Sequence, residues 1–185
     1  MSDEKTYENE YIKVDGTDIF FYCDVSYESV TELCTAIKKI EREHAGYGIH
    51  QTHIKVHIMS DGGELYSGLG AMDFLKSTRS KITTIAEGMC ASAATFIFLG
   101  GDRRLISPNA YILIHQISSA AWGKYDHLKD EMHQYKKLMR HIKRIYLEET
   151  NIPPEKLENL MKRDLYMSSR RCIKYGIGEK YMVFS

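Results

Sequence analysis

The chain has 185 residues and a mass of 21.4 kDa, a size typical of one domain. Hydrophobic residues make up 43% of it and charged residues 27%, which excludes a disordered chain and an ordinary membrane protein. Lys and Arg together number 25, as do Asp and Glu, so the net charge of +0 provides no overall basic field for nucleic acid. Charge repulsion therefore does not oppose self-association.

The first residues and the cysteines bear on compartment and domain organisation. Residues 1–10 (MSDEKTYENE) have neither the basic nor the apolar region of a signal peptide. We expect them to form a mobile arm, followed by one domain over residues 11–185. No apolar run approaches the ~20 residues that a membrane helix needs. The four cysteines have no zinc-type spacing, and we expect reduced thiols in a cytoplasmic protein; they are Cys23, Cys34, Cys90 and Cys172.

The apolar pattern alternates between strands and helices along the chain. Residues 18–25 (DIFFYCDV) predict a strand, and residues 29–46 predict a helix that opens with a capping box at Ser29 and Glu32. Further strands are predicted at 54–59, 81–87, 103–106 and 111–114, and further helices at 64–78, 89–101, 125–149, 154–163 and 168–176. Repeated strand–helix units indicate an α/β fold. His53 and His57 have the spacing of a metal pair, but they fall on a strand and we predict no metal site there.

Two predicted strand-to-helix turns could bind negative charge through free N–H groups at a helix start. The first is Ser60-Asp61-Gly62-Gly63, where glycines allow close approach of the backbone to a ligand, although most such pairs are plain turns. The second, residues 88–94 (GMCASAA), places the Ser92 hydroxyl where a helix dipole would stabilise an alkoxide. It lacks the Gly-x-Ser-x-Gly pattern, and taken alone Ser92 is more readily explained as a serine that fills a tight helix contact.

A serine nucleophile needs a base and a carboxylate to orient it. His115 ends the apolar run YILI, near the rim of the predicted sheet, where it can face a cleft or serve a structural role. Asp164 follows a short predicted helix but is one of 25 acidic residues, so its position alone carries little weight.

Three segments of the chain resemble the ClpP family, the proteolytic subunits of the ATP-dependent Clp protease. They are residues 54–77 (IKVHIMSDGGELYSGLGAMDFLKS), 88–116 (GMCASAATFIFLGGDRRLISPNAYILIHQ) and 149–177 (ETNIPPEKLENLMKRDLYMSSRRCIKYGI). The likeness keeps one order over about residues 18–180. It implies an α/β superhelix of the ClpP and crotonase type, from which a long helix at 125–149, the handle helix, protrudes.

The resemblance also assigns roles. Ser92 matches the nucleophile, His115 the base and Asp164 the acid, while Gly63 and Ala93 match the positions whose N–H groups form the oxyanion hole. It implies a serine endopeptidase that needs no cofactor or metal and hydrolyses unfolded polypeptides inside a chamber. The chamber would be a homo-oligomer of two stacked heptameric rings, served by an AAA+ unfoldase ATPase, with no role for nucleic acid or membrane.

The chain departs from the family pattern in two places. Asp61 stands where the family usually has proline, which puts a negative charge near the expected oxyanion hole. Residues 117–123 (ISSAAWG) replace the glycine-rich strand that pairs with substrate, although such pairing needs only backbone groups. Three alternatives therefore stay open: a non-catalytic ring subunit, a phage prohead-type protease, and a crotonase-fold acyl-CoA enzyme.

Overall fold

A mixed sheet of eight strands forms the centre of the protein. The computed structural model describes residues 12–49, 51–118 and 122–181, so the expected arm at 1–10 lies outside the described residues. The strands are β1 (Ile12–Asp15), β2 (Asp18–Phe21), β3 (His53–Ser60), β4 (Lys81–Ala91), β5 (Arg103–Ile106), β6 (Tyr111–Leu113), β7 (Tyr166–Ser168) and β8 (Glu179–Lys180). The helices within these ranges are α1 (Tyr27–Gly46), α2 (Leu65–Ser77), α3 (Ala94–Leu99), α4 (Tyr125–Glu149), α5 (Pro154–Met161) and α6 (Ser169–Lys174).

The sheet is parallel through its middle. Its strand order is β1-β2-β3-β4-β5-β8, with β6 beside the second half of β4 and β7 beside β6. The β1–β2 and β6–β7 pairs are antiparallel, and the other pairs are parallel. The strand–helix alternation and the α/β fold class predicted from the sequence are confirmed.

One face of the sheet packs against helices. Ile54, Val56 and Ile58 of β3 are fully buried and share a single apolar core with Leu33 and Ile37 of α1. The alternate side chains of β3 point to the opposite face, as the two-residue period of a strand requires.

Two predicted boundaries were wrong. Helix α1 is capped by Ser26, because its Oγ accepts from the Ser29 N–H at 3.2 Å and the Ser29 Oγ accepts from the Ser26 N–H at 2.9 Å. The capping box therefore pairs two serines and does not involve Glu32. Strand β4 continues to Ala91, past Gly88, which has a φ of +55°.

The continuation of β4 shortens the helix predicted at 89–101. The first half of β4 pairs with β5, and the second half pairs with β6 up to Ala91. Helix α3 therefore begins only at Ala94. The handle helix, in contrast, has the predicted bounds, Tyr125–Glu149.

His57 joins three strands on the outer face of the sheet. Its Nε2 lies 2.9 Å from Oδ1 of Asp18 on β2, and its Nδ1 lies 3.1 Å from Oε1 of Glu87 on β4. The ring also stacks on Phe20, with centroids 4.7 Å apart. Among residues 12–49, 51–118 and 122–181, no three His, Cys, Asp or Glu side chains are grouped to hold a metal ion. No helix in these ranges has the length and apolarity to cross a membrane.

Candidate functional site

The register of the sheet brings the predicted site residues to one edge. Ala91 at the end of β4 pairs with Leu113 at the end of β6, so Ser92 and His115 follow neighbouring parallel strands. Strand β7 is antiparallel to β6, and Tyr166 at its start pairs with Leu113. Asp164, two residues before Tyr166, is thereby placed beside His115.

Ser92 and His115 are in direct contact. The Ser92 Oγ lies 2.7 Å from Nε2 of His115, a normal hydrogen-bond distance. When Nδ1 of His115 carries the ring proton, the Ser92 hydroxyl donates to Nε2. This arrangement is the one from which a histidine base can take a serine proton.

Ser92 has a backbone conformation that side chains rarely adopt. Its φ is +53°, and the one other non-glycine residue with positive φ among the described residues is Asp164, at +44°. Such conformations cost about 1–3 kcal/mol and persist where surrounding contacts enforce them. Two of the three residues that the sequence analysis assigned to the triad therefore occupy the strained positions of the described chain.

Hydrogen bonds on both sides hold Ser92 in this conformation. Its N–H donates to the Leu113 carbonyl at 2.9 Å, and its carbonyl accepts from the Thr95 N–H at 3.0 Å and from the Thr95 hydroxyl at 2.6 Å. The Thr95 hydroxyl also contacts the Tyr146 hydroxyl at 2.6 Å. Burial raises the pKa of the Tyr146 phenol, which therefore stays neutral beneath the turn.

Asp164 lies near His115, but the contact between them is long and the Asp164 carboxylate is exposed. Its Oδ1 lies 3.4 Å from Nδ1 of His115, longer than an ordinary N–H···O hydrogen bond. The Asp164 side chain is 71% exposed, whereas that of His115 is 22% exposed. Water therefore competes with His115 for hydrogen bonds to the Asp164 carboxylate. The electrostatic interaction between Asp164 and His115 is consequently weaker than that of a buried pair.

The turn after β3 at residues 60–63, the glycine turn, lies against the turn at Ser92 and Ala93. A Cβ placed on Gly62 would come within 2.6 Å of the Ser92 Cβ and 3.1 Å of the Ala93 nitrogen, so only glycine permits this approach. The N–H groups of Gly63 and Ala93 donate to no protein acceptor within the part of the chain that the structure describes. Both remain available to an oxygen at this edge.

A cavity of about 280 Å³ connects these groups. It is lined by Gly63, Ser92, Ala93 and His115, and Phe96 adds an apolar side chain to its wall. Two N–H groups, a hydroxyl bonded to a histidine and an apolar recess therefore share one space, the arrangement that acyl transfer requires.

The cysteines offer no competing nucleophile at this edge. Cys90, two residues before Ser92, is fully buried, and burial raises its pKa. Burial likewise raises the pKa of Cys23 to about 11 and that of Cys172 to about 12. Thiols with such pKa values are neutral near pH 7 and are weak nucleophiles. All four cysteines are free.

The sequence analysis missed three residues of the site. Thr95 and Tyr146 support the backbone of Ser92, and Glu64 lines the cavity. A threonine three residues after a turn residue is a recognisable local signal for Thr95. Tyr146 lies 51 residues from Thr95 on another helix, and no local pattern indicates that contact.

The family model and the similar proteins found by comparison all point to the same family. A family model described as Clp protease matches residues 5–183. An ATP-dependent Clp protease proteolytic subunit from Pleurastrum terricola is 35% identical over 124 residues, which is 66% of this chain and 63% of that protein. Proteins of the same name from Deinococcus radiodurans and Chlorella vulgaris are 33% and 28% identical over 69% and 89% of this chain.

The matched segments span 63% of the Deinococcus protein and 81% of the Chlorella protein. Among solved structures, a mutant of ClpP1 from Listeria monocytogenes has the same fold, with a TM-score of 0.79. It is 21% identical in sequence, and the superposition covers 91% of this chain and 92% of that one.

Replacing Gly63 with alanine should disrupt the glycine turn. A Cβ at this position would lie 2.2 Å from the Val25 carbonyl oxygen, and the φ of +142° is unfavourable for alanine. We expect Gly63→Ala to lower the free energy of unfolding by about 1–3 kcal/mol or more, measured by urea denaturation.

The matched control is Gly70→Ala, on the exposed side of α2, where a Cβ meets nothing within 4 Å. It should raise stability by about 0.4–1 kcal/mol. Equal stability of the Gly63→Ala protein and the wild type would contradict the strained turn described above.

Proposed function

The chain belongs to the Clp protease family, and on that premise we propose that it is a serine peptidase with Ser92 as nucleophile, His115 as base and Asp164 as the orienting acid. The observation that carries the proposal is the 2.7 Å contact between the Ser92 Oγ and Nε2 of His115. The serine has a φ of +53° and lies beside two N–H groups that have no acceptor among the described residues. The buried thiols near the site leave this hydroxyl as the reacting group.

In the proposed mechanism, the Ser92 Oγ attacks the carbonyl carbon of the substrate as its proton passes to Nε2 of His115. The N–H groups of Gly63 and Ala93 stabilise the negative charge that develops on the carbonyl oxygen. His115 then gives the proton to the leaving amine as the C–N bond breaks. His115 next takes a proton from a water molecule, whose oxygen attacks the acyl carbon. The ester bond to the Ser92 Oγ then breaks, the acid product leaves, and His115 returns the proton to the Ser92 Oγ.

Asp164 would orient Nδ1 of His115 and stabilise the imidazolium. At 3.4 Å and 71% exposure, this interaction is weak in the isolated chain. We propose that assembly or substrate binding shortens it. A non-catalytic ring subunit is the second candidate function, and the exposed position of Asp164 is the observation that favours it.

The handle helix supports the proposed assembly into two stacked rings. Its first part is exposed, and burial is confined to Ile142, Ile145 and Tyr146 near its end. Tyr125, Leu128 and Met132 follow the spacing of one helix face, with exposures of 77%, 37% and 55%. Trp122, just before the helix, is 99% exposed.

Tyr125, Leu128 and Met132 form an exposed apolar stripe along the handle helix. Such a stripe is typical of a surface that another chain covers. We propose that a second copy of the chain covers the stripe, that the enclosed chamber admits unfolded polypeptides, and that a Clp-type unfoldase ATPase delivers them.

Substitution of the three proposed catalytic residues should reduce peptide cleavage to different extents. Ser92→Ala should abolish it, and His115→Ala should lower kcat by about 10²–10⁴-fold, since the base is lost. Asp164→Asn should have a smaller effect than His115→Ala, because the carboxylate is exposed and distant. Cleavage of fluorogenic peptides by the assembled protein measures all three.

The control is Ser77→Ala, an exposed serine at the end of α2 that should retain wild-type activity. Wild-type cleavage by Ser92→Ala would disprove the assignment. An assembled wild type that cleaves no peptide alone, yet joins an active Clp peptidase, would support the second candidate.

Introducing a charge into the apolar stripe should separate the rings. Met132→Glu would bury a carboxylate against the partner helix, so the assembly mass measured by native mass spectrometry should fall by half. Lys137→Glu, on the opposite face of the same helix, should leave the mass unchanged. An unchanged mass for Met132→Glu would show that the stripe is not the contact between rings.

A further inference from the structure

An acidic residue, Glu64, lines the cavity that holds Ser92 and His115. Glu64 follows Gly63 at the N-cap position of α2, and its Oε2 accepts from the Ser67 hydroxyl, 2.7 Å away. Ser67 occupies one acceptor site, whereas an ionised carboxylate has about four. The contact therefore fixes the position of Glu64 and leaves it able to accept from a bound molecule.

The charge of Glu64 is not neutralised within the site. Among the described residues, no Lys or Arg lines the cavity, and none forms an ion pair with Glu64. Asp61 is exposed on the same turn, and Asp164 lies behind His115. Among the described residues that line the cavity, Glu64 is therefore the one acidic side chain and no Lys or Arg offsets its charge, which attracts a cationic side chain and repels an acidic one.

Part of the remaining wall is polar, and part of it suits an apolar stem. Leu65, Phe96 and Ile142 contribute apolar surface, and Tyr146 adds its ring. Lysine and arginine combine a flexible hydrocarbon stem with a cationic head, and they commonly bury the stem while the head reaches a polar partner. A side chain of this form matches a cavity whose wall is partly apolar and carries one acidic residue, Glu64.

We propose that Glu64 is a specificity-determining residue, which selects substrates with Lys or Arg next to the scissile bond. This inference rests on the proposed peptidase function, because it assigns the cavity to a substrate side chain. The stem of that side chain lies against the apolar wall, and its head binds the carboxylate of Glu64.

The test compares two fluorogenic peptides that differ at one position, lysine against norleucine, which has a similar stem and no charge. For the wild type, kcat/KM should be about fivefold higher for the lysine peptide, the ratio that about 1 kcal/mol of a solvent-exposed ion pair gives. Glu64→Gln, which can still accept from Ser67, should bring the ratio close to one. A lysine-acetylated peptide should behave like the norleucine peptide.

The matched control is Asp73→Asn, which removes an exposed carboxylate from the same helix but not from the cavity. It should leave the lysine-to-norleucine ratio unchanged. Equal cleavage of the two peptides by the wild type would overturn the inference while leaving the peptidase proposal in place. An equal loss of preference in Asp73→Asn and Glu64→Gln would also overturn it, since the effect would then arise from overall charge.

A binding measurement separates this inference from the proposed function. Fluorescently labelled versions of the same peptides are titrated into Ser92→Ala, with and without Glu64→Gln, and anisotropy gives the dissociation constants. Tighter binding of the lysine peptide that disappears with Glu64→Gln supports the inference even if the wild type cleaves nothing, a result that would contradict the peptidase proposal alone. Equal binding of both peptides to Ser92→Ala would overturn the inference.

Discussion

The left-handed backbone of Ser92 is the constraint on which the candidate site depends. At φ +53° the chain turns sharply out of β4, which directs the hydroxyl toward His115 and leaves the Ala93 N–H without a protein acceptor among the described residues. The strain persists because Leu113 and Thr95 hold the peptide groups on either side. The sheet register, the glycine turn and the buried Tyr146 all act through this one turn.

The glycine turn shows how closely the neighbouring strand must fit. The Gly62 and Gly63 positions admit no Cβ, since one would meet the Ser92 turn and the other the Val25 carbonyl. Asp61 precedes them and is exposed, which is compatible with the same turn. Asp61, which stands where the resemblance led us to expect proline, therefore adds an exposed negative charge to this turn.

Much of this arrangement could be predicted from the sequence, but its details could not. The strand–helix alternation follows local periodicity, and the resemblance supplied the residues Ser92, His115 and Asp164. The path of β4 beyond Gly88 was missed, because the change of partner from β5 to β6 depends on contacts between distant segments. The contact of Tyr146 with Thr95 and the exposure of Asp164 were equally inaccessible, since both depend on how α4 and the chain before β7 pack.

We propose that His115 activates Ser92 beside a formed oxyanion hole. The most direct measurement treats the folded protein with a fluorophosphonate, determines its intact mass, and locates the adduct by peptide mapping. We expect one adduct, on Ser92, that is absent in His115→Ala. No adduct on the folded wild type, or one that forms equally in His115→Ala, would contradict it.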